Sequence, residues 1–295
     1  MQRFLDLTND LAFKKVFSYK TTLIAFLNAI LDLKDGFEID SLEYISQEEV
    51  PVSLEEKKRS VMDVRCLTKN GIYFIVEMQN STSHAFLKRA QFYTASTYVN
   101  QLGKGKDHST LKSVVLVAIL GETVFEDDPA YVSHHKTVNV KTGVNHLADM
   151  SYVFVELPKF NKTKEECIDL QDQWIYTFQN AEGESDIPFA NDALNEVYEH
   201  LEKSYWSAEE YQDYISVKLR IDEAAIKLKD EFEAGEAKGK AEGKAEGKAE
   251  GEEIGIEKGS TETTKNIARA MKRKEISVDI IAETTGLTAE EIAIL

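Results

Sequence analysis

Between Leu7 and Leu31 the apolar residues recur at helical spacing. Phe13, Val16 and Phe17 form one stripe, and Leu23, Phe26, Leu27, Ile30 and Leu31 form the next. Two consecutive helices, each with one buried face, are predicted. After a polar, acidic stretch the period shortens to two. Ser60–Leu67 and Ile72–Gln79 read as strands joined by Thr68-Lys69-Asn70-Gly71. A helix over about Ser83–Gln101 follows. Val114–Leu120 (VVLVAIL) is a near-continuous apolar run, the mark of a strand covered on both faces, and Tyr152–Leu157 reads as another. Helices, hairpin, helix and buried strands in this order predict an α/β fold, a mixed sheet flanked by helices. Four zones are expected: a core over 1–160, a helical extension over 161–230, an Ala/Glu/Gly/Lys repeat over 231–260, and a small helical module over 261–295.

The hairpin holds the candidate chemistry. Asn70-Gly71 between two β-rich runs is a turn signal, and two registers are open. A two-residue loop sets Asp63 opposite Met78. A three-residue loop, Lys69-Asn70-Gly71, gives Gly71 the left-handed position that glycine tolerates. It pairs Thr68 with Ile72, Leu67 with Tyr73, Arg65 with Ile75 and Asp63 with Glu77. The second register sorts Met62, Val64, Cys66, Phe74, Val76 and Met78 onto one apolar face, and Asp63, Arg65, Glu77 and Gln79 onto the other. A one-residue slip would mix these sets, so burial favours it. Two carboxylates would then face each other at about 5 Å between Cβ atoms, unfavourable unless neutralised. A hard divalent cation neutralises them and takes oxygen ligands. Such a cation polarises a phosphodiester and activates water for its hydrolysis. The plainer alternative is a solvated acidic face.

Composition constrains this picture. The chain of 295 residues is 42 % hydrophobic, enough for a substantial core. Its net charge of −17 argues against a protein that coats nucleic acid non-specifically, so a nucleic-acid enzyme needs a local basic patch. Lys57-Lys58-Arg59, just before the Asp63 strand, is the best local candidate. No apolar run reaches the roughly 18 residues of a membrane span, and the first residues lack a secretory pattern. With two cysteines far apart, Cys66 and Cys167, a disulfide framework is not expected and the cytoplasm is the expected compartment. His108, His134 and His135 lack partners at zinc-ligand spacing. Gly103-Lys-Gly105-Lys lacks the strand-to-helix context of a phosphate loop.

Asp63, thirteen intervening residues, Glu77-Met78-Gln79 and a following helix together resemble the PD-(D/E)XK nuclease motif. More narrowly, the chain resembles the recombination-promoting nuclease/putative transposase (Rpn) family. The resemblance rests on Asp10-Leu-Ala-Phe13-Lys14-Lys15-Val-Phe17, Val61-Met-Asp63-Val, Ile75-Val-Glu77-Met-Gln79, Arg89 with Tyr93, Glu156-Leu-Pro-Lys-Phe160 and the repetitive tail. It covers nearly the whole chain. It implies a restriction-endonuclease-like core and a Mg²⁺-dependent DNA endonuclease that promotes recombination, with Mn²⁺ as a substitute metal. It also implies Asp63 and Glu77 as metal ligands and the backbone carbonyl of Met78 as a third. The general motif has lysine where this chain has Gln79, although Glu-x-Gln is a known variant. An amide can orient water or phosphate but carries no charge. Lys88 or Arg89 on the next helix is the candidate source of that charge. Weak activity, in a DNA-binding or recombination accessory protein, is the competing expectation.

Four further residues have two readings each. Asp10 is a first-turn acid favoured by the helix dipole, or a site carboxylate. Arg89 and Tyr93, four apart on one helix face, are a packing pair or a phosphate contact. Glu156 is a structural partner or a support to the site. In the tail, glycines from Gly239 to Gly259 recur every fourth residue. Each costs a helix about 1 kcal/mol, against a few tenths per Glu–Lys pair. A frayed helix or linker is expected, with a small-residue stripe compatible with a homodimer. Ser277, Gly286 and Thr288-Ala-Glu-Glu291 punctuate a final helix pair. Its expected contacts are Ile280, Ile281, Leu287, Ile292 and Leu295. The pair resembles part of a helix-turn-helix, with basic residues from Lys265 to Lys274 before it.

Overall fold

The computed structural model describes residues 2–31, 33, 38–45, 64–81, 85–103, 105 and 107–295. Asp63 and the Lys57–Arg59 run lie outside the described residues, as do Val61 and Met62. The chain divides into two compact units, Met1–Asp222 and Glu223–Leu295.

In the first unit α1 (Asp10–Val16) and α2 (Lys20–Ile30) form where the apolar stripes place them. Asn9 caps α1 by accepting a hydrogen bond from the Leu11 amide, satisfying one of the free donors of the first turn. Six strands follow: β1 (Leu42–Tyr44), β2 (Val64–Thr68), β3 (Tyr73–Gln79), β4 (Val114–Leu120), β5 (Val132–Thr137) and β6 (Leu147–Glu156). They make one mixed sheet in the order β1-β2-β3-β4-β6-β5. The β3, β4 and β6 trio is parallel, and the outer pairings are antiparallel. Helix α3 (Phe86–Val99) makes the crossover from β3 to β4. β4 is central and almost wholly buried, as its apolar run requires.

The predicted hairpin register is the observed one. Leu67 pairs with Tyr73, Cys66 with Phe74, Arg65 with Ile75 and Val64 with Val76. The Thr68 amide donates to the Ile72 carbonyl at 3.0 Å. Gly71 has φ of +81°, the left-handed position that the three-residue loop demands.

Period-two alternation then divides the two faces. Val64, Cys66, Phe74, Val76 and Met78 join α1, α2, α4 (Leu170–Asn180) and α5 (Asp192–Leu201) in the larger core. Phe17 stacks on Trp174 and Phe178, with ring centroids 6.0 and 6.2 Å away. Each such buried side chain stabilises the fold by about 1.5–3 kcal/mol. Ile75, Leu116, Ala118 and Phe154 point to the opposite face and meet Phe86, Ala90 and Tyr93 of α3. Helix α6 (Ala208–Arg273) enters this unit through Tyr214, whose hydroxyl accepts the Asp6 amide at 3.0 Å. Cys66 and Cys167 are free and buried.

In the second unit the glycine repeat is helical, within the continuous span of α6. The expectation of a frayed helix or linker counted glycine cost per residue. A helix continuing from an already formed turn needs no new nucleus, which removes the largest penalty of helix formation. The end of α6 packs with α7 (Val278–Thr285) and α8 (Ala289–Ile294) around Ala268, Ile281 and Ile292. Gly286 ends α7 at φ of +72°, and Thr288 with Glu291 forms the predicted capping box. Ile280, expected among the contacts, is instead 51 % exposed, because the short α7 buries one stripe and Ile281 occupies it. No described helix is long and apolar enough to cross a membrane.

Candidate active site

Glu77 sits on β3 opposite Ala118 of β4. Alternation turns it to the α3 face, and it is only 3 % exposed. Burial pushes its carboxyl above the ordinary value. Arg89, Arg65 and a hydrogen bond from Gln79 oppose that shift. Leaving water disfavours the charged form, and nearby cations restore it.

A chain of contacts orients this carboxylate. Arg89, one turn into α3, donates from Nη2 to Gln79 Oε1 at 3.1 Å. Gln79 Nε2 donates to Glu77 Oε1 at 2.6 Å. The direction is chemically forced: a guanidinium has no acceptor, so the amide oxygen must face Arg89 and the amide nitrogen must face Glu77. Glu77 Oε2 is buried and accepts no hydrogen bond among the described residues. A buried oxygen of this kind is costly unless a cation or other partner meets it.

Two more residues complete the surroundings. Arg65 is 7 % exposed and shares the acid face of the hairpin. Burial lowers its pKa, while Tyr93 and Glu77 raise it. Tyr93, 6 % exposed, lies one turn beyond Arg89. Lys88 is exposed, so of the two cations expected to support Gln79 it is Arg89 that turns inward.

The strand end is held from both sides. Gly121, just after β4, donates its amide to the Gln79 carbonyl at 2.8 Å. A Cβ at Gly121 would lie 2.7 Å from the Asn80 carbonyl oxygen, so any side chain would force the strands apart. Because the Gln79 carbonyl points toward β4, alternation along β3 turns the Met78 carbonyl to the β2 side. Asn80 Nδ2 donates to the Thr8 carbonyl at 2.8 Å, tying the lead into α1 to the end of β3. Asp10, two residues on, forms an ion pair with Lys14 at 2.7 Å and is half-exposed.

Glu156 closes β6 level with Leu120, hence with Gln79. It is fully buried. Its Oε1 accepts the Val124 and Phe125 amides at 2.6 and 3.0 Å, and its Oε2 accepts Lys159 Nζ at 2.6 Å. Lys159 also donates to the Phe125 and Asp128 carbonyls. This pair organises the loop between β4 and β5, the structural one of the two readings.

The structure thus joins Glu77, Gln79, Arg65, Arg89 and Tyr93 in one cluster. Among the described residues no three His, Cys, Asp or Glu side chains gather at a metal-holding distance. Asp63, the second expected carboxylate, lies outside them.

A buried Glu-x-Gln strand end, the hairpin before it and the α3 crossover after it define the site. A family model described as PD-(D/E)XK nuclease family transposase matches residues 7–229. The chain belongs to that family. The match spans three quarters of its length and takes in the whole of the described cluster. No curated protein and no solved structure shows a significant match to the chain. Within this PD-(D/E)XK protein, alternation along β2 marks Arg65 as a neighbour of the acids. The Arg89–Gln79 contact has no local signal, because it depends on how α3 packs back over β3.

Proposed function

We propose that this PD-(D/E)XK protein is a divalent-metal-dependent DNA endonuclease whose cutting promotes recombination. The observation that carries the reading is the state of Glu77: one oxygen is fixed by Gln79, and the other is buried with no hydrogen-bond donor among the described residues. That oxygen fits a hard cation. Glu77, Asp63 and the Met78 carbonyl are the proposed ligands, with Mg²⁺ as the metal and Mn²⁺ as a substitute. When bound, the cation polarises the phosphodiester and supplies an activated water. The chain's own residues do the remainder. Gln79 holds the Glu77 carboxylate in one rotamer and keeps a second amide hydrogen to orient water or phosphate. Arg89 holds Gln79 and opposes the burial that raises the Glu77 carboxyl. Arg65 adds positive charge near the attacked phosphate, where negative charge grows in the transition state.

One observation favours a second reading. Gln79 stands where the general motif has lysine, and a neutral amide cannot meet phosphate as a point charge. An accessory DNA-binding protein with feeble cleavage is that alternative. The deciding experiment is plasmid nicking by the full chain with Mg²⁺, Mn²⁺ or EDTA, beside folded Asp63→Ala and Glu77→Ala variants. Divalent-dependent nicking lost in both variants supports the enzyme. Full activity in a clean Asp63→Ala preparation defeats the site assignment.

A further inference from the structure

The chain's acidity is unevenly placed. In a sequence of net charge −17, residues 78–106 hold no Asp or Glu, and neither do residues 129–148. The first stretch contains the end of β3 and all of α3, and the second contains β5 and the turn leading into β6. With 52 acids in 295 residues, two acid-free runs of this length are a marked departure. They are also joined in space: Tyr98 near the end of α3 donates to Asp149 of β6 at 2.7 Å. Asp149 also accepts from Ser113.

The second stretch has a distinctive form. β5 and β6 pair from Val132↔Val155 down to Thr137↔Leu147. The pairing then continues past the sheet as a two-stranded ribbon. The Asn139 amide donates to the Val144 carbonyl at 2.9 Å, and the Gly143 amide returns to the Asn139 carbonyl at 2.8 Å. Nearly everything on this ribbon is exposed: Lys136, Lys141 and Val140, the last at 95 %. Val138, Val144 and Leu147 are exposed on the same ribbon, and a group of exposed apolar side chains, unlike a single one, marks an interaction surface.

We propose that a DNA duplex docks along the outer face of α3 and onto the β5–β6 ribbon, with the ribbon entering a groove. The substrate class rests on the nuclease reading above; the surface is argued independently from charge and shape. The major groove admits a two-stranded β-ribbon, and apolar side chains there meet thymine methyl groups. Lys136 and Lys141 meet phosphates, and the nearby carboxylate of Asp149 on β6 is engaged by Tyr98 and Ser113. The spacing also fits. Glu77 is level with Phe154, and Leu147 lies seven strand steps away, roughly 23 Å at about 3.3 Å per residue, with Val144 further along the ribbon at most roughly 33 Å away. One turn of B-DNA is about 34–36 Å. A duplex seated at Glu77 therefore presents an equivalent groove near the ribbon one turn away.

The test measures binding of the full chain to a 30-base-pair duplex (~30, about three turns) in EDTA, across a salt series. The variant is Lys136→Gln/Lys141→Gln; a charge-matched control is Lys240→Gln/Lys248→Gln on the exposed part of α6. Each phosphate contact contributes about 0.9 to the slope of log affinity against log salt. The ribbon variant is expected to lower that slope by about 2 and weaken binding, and the control to leave both unchanged. A wild type that cuts DNA while the ribbon variant binds it with unchanged slope and affinity overturns this inference and leaves the nuclease reading intact. Ribbon-dependent binding without cleavage does the reverse. A wild type that neither binds nor cuts overturns both.

Discussion

Replacing Arg89 with methionine keeps an unbranched apolar stem, though a shorter one, and removes the charge and donors. Two consequences follow from the site. Gln79 Oε1 loses a charge-assisted hydrogen bond, seen at 3.1 Å; such bonds contribute about 1.5–3 kcal/mol. If that energy holds the productive amide rotamer, kcat/KM should fall roughly 10- to 150-fold. Glu77 also loses the first of the influences that pull its burial-raised carboxyl back down. The ionised carboxylate is the form that meets a cation, so activity is present above the Glu77 pKa and lost as pH falls through it. Removing Arg89 raises that pKa, and the acid limb of the pH profile should move to higher pH. Arg89→Lys, which keeps a cation, should restore part of both effects. Lys88→Met, at an exposed position, should leave the limb in place and change at most DNA affinity. The assay is cleavage of a plasmid or labelled duplex over a pH series at fixed Mg²⁺. A methionine variant with the parental rate and an unmoved acid limb would refute the relay from Arg89 through Gln79 to Glu77.

Three more perturbations have definite outcomes. A carboxyl whose folded pKa is raised contributes stability that is present below its ordinary value of 4.5 and is lost as pH rises through the folded value. Metal-free Glu77→Gln should therefore melt above the wild type at neutral pH, with the gap closing in acid, and added Mg²⁺ should raise the melting temperature of the wild type alone; calorimetry checks both. Lys159→Met breaks a buried pair with Glu156, at about 3–5 kcal/mol or roughly 6–20 °C for a unit of this size. Glu156→Gln combined with Lys159→Met should recover part of that loss, and equal melting of the single variant and wild type would contradict the buried-pair account. A chain ending at residue 230 keeps the described cluster and Tyr214, so it should still cleave; sedimentation of this fragment beside the full chain reports whether the tail drives self-association, and an inert, folded fragment would place the tail inside the catalytic unit.

Much of the fold was legible because burial imposes a period. The apolar face of the hairpin selected one register, and Gly71 selected the loop that produces it. β4 was readable from its run of seven apolar residues, which fits only a strand covered on both sides. β5 was not readable: Val-Ser-His-His-Lys-Thr is a polar edge strand with one well-buried position, Ser133. β1 was too short, three residues, to show any alternation. The continuity of α6 was hidden because glycine content is a local quantity, whereas helix nucleation depends on the turns that precede it. At the site, Glu77, Gln79 and Arg65 follow from alternation along two strands. The choice of Arg89 over Lys88 depends on the rotation of α3 about its axis, and neighbouring residues on a helix point about 100° apart. No spacing rule in one sequence sets that angle.

The placement of Arg65 and Arg89 has a kinetic consequence. Both guanidiniums face inward around Glu77, while the chain as a whole carries an excess of seventeen negative charges. A polyanion approaching from a distance meets the net field, which repels, and feels the inward cations only within about a Debye length, roughly 10 Å at 0.1 M salt. Far-field repulsion and near-field attraction respond to salt in opposite directions. Added salt should speed first encounter with a phosphate backbone and also speed its release, so turnover would pass through a maximum at intermediate ionic strength. Most nucleic-acid enzymes, steered by basic surfaces, only slow as salt rises.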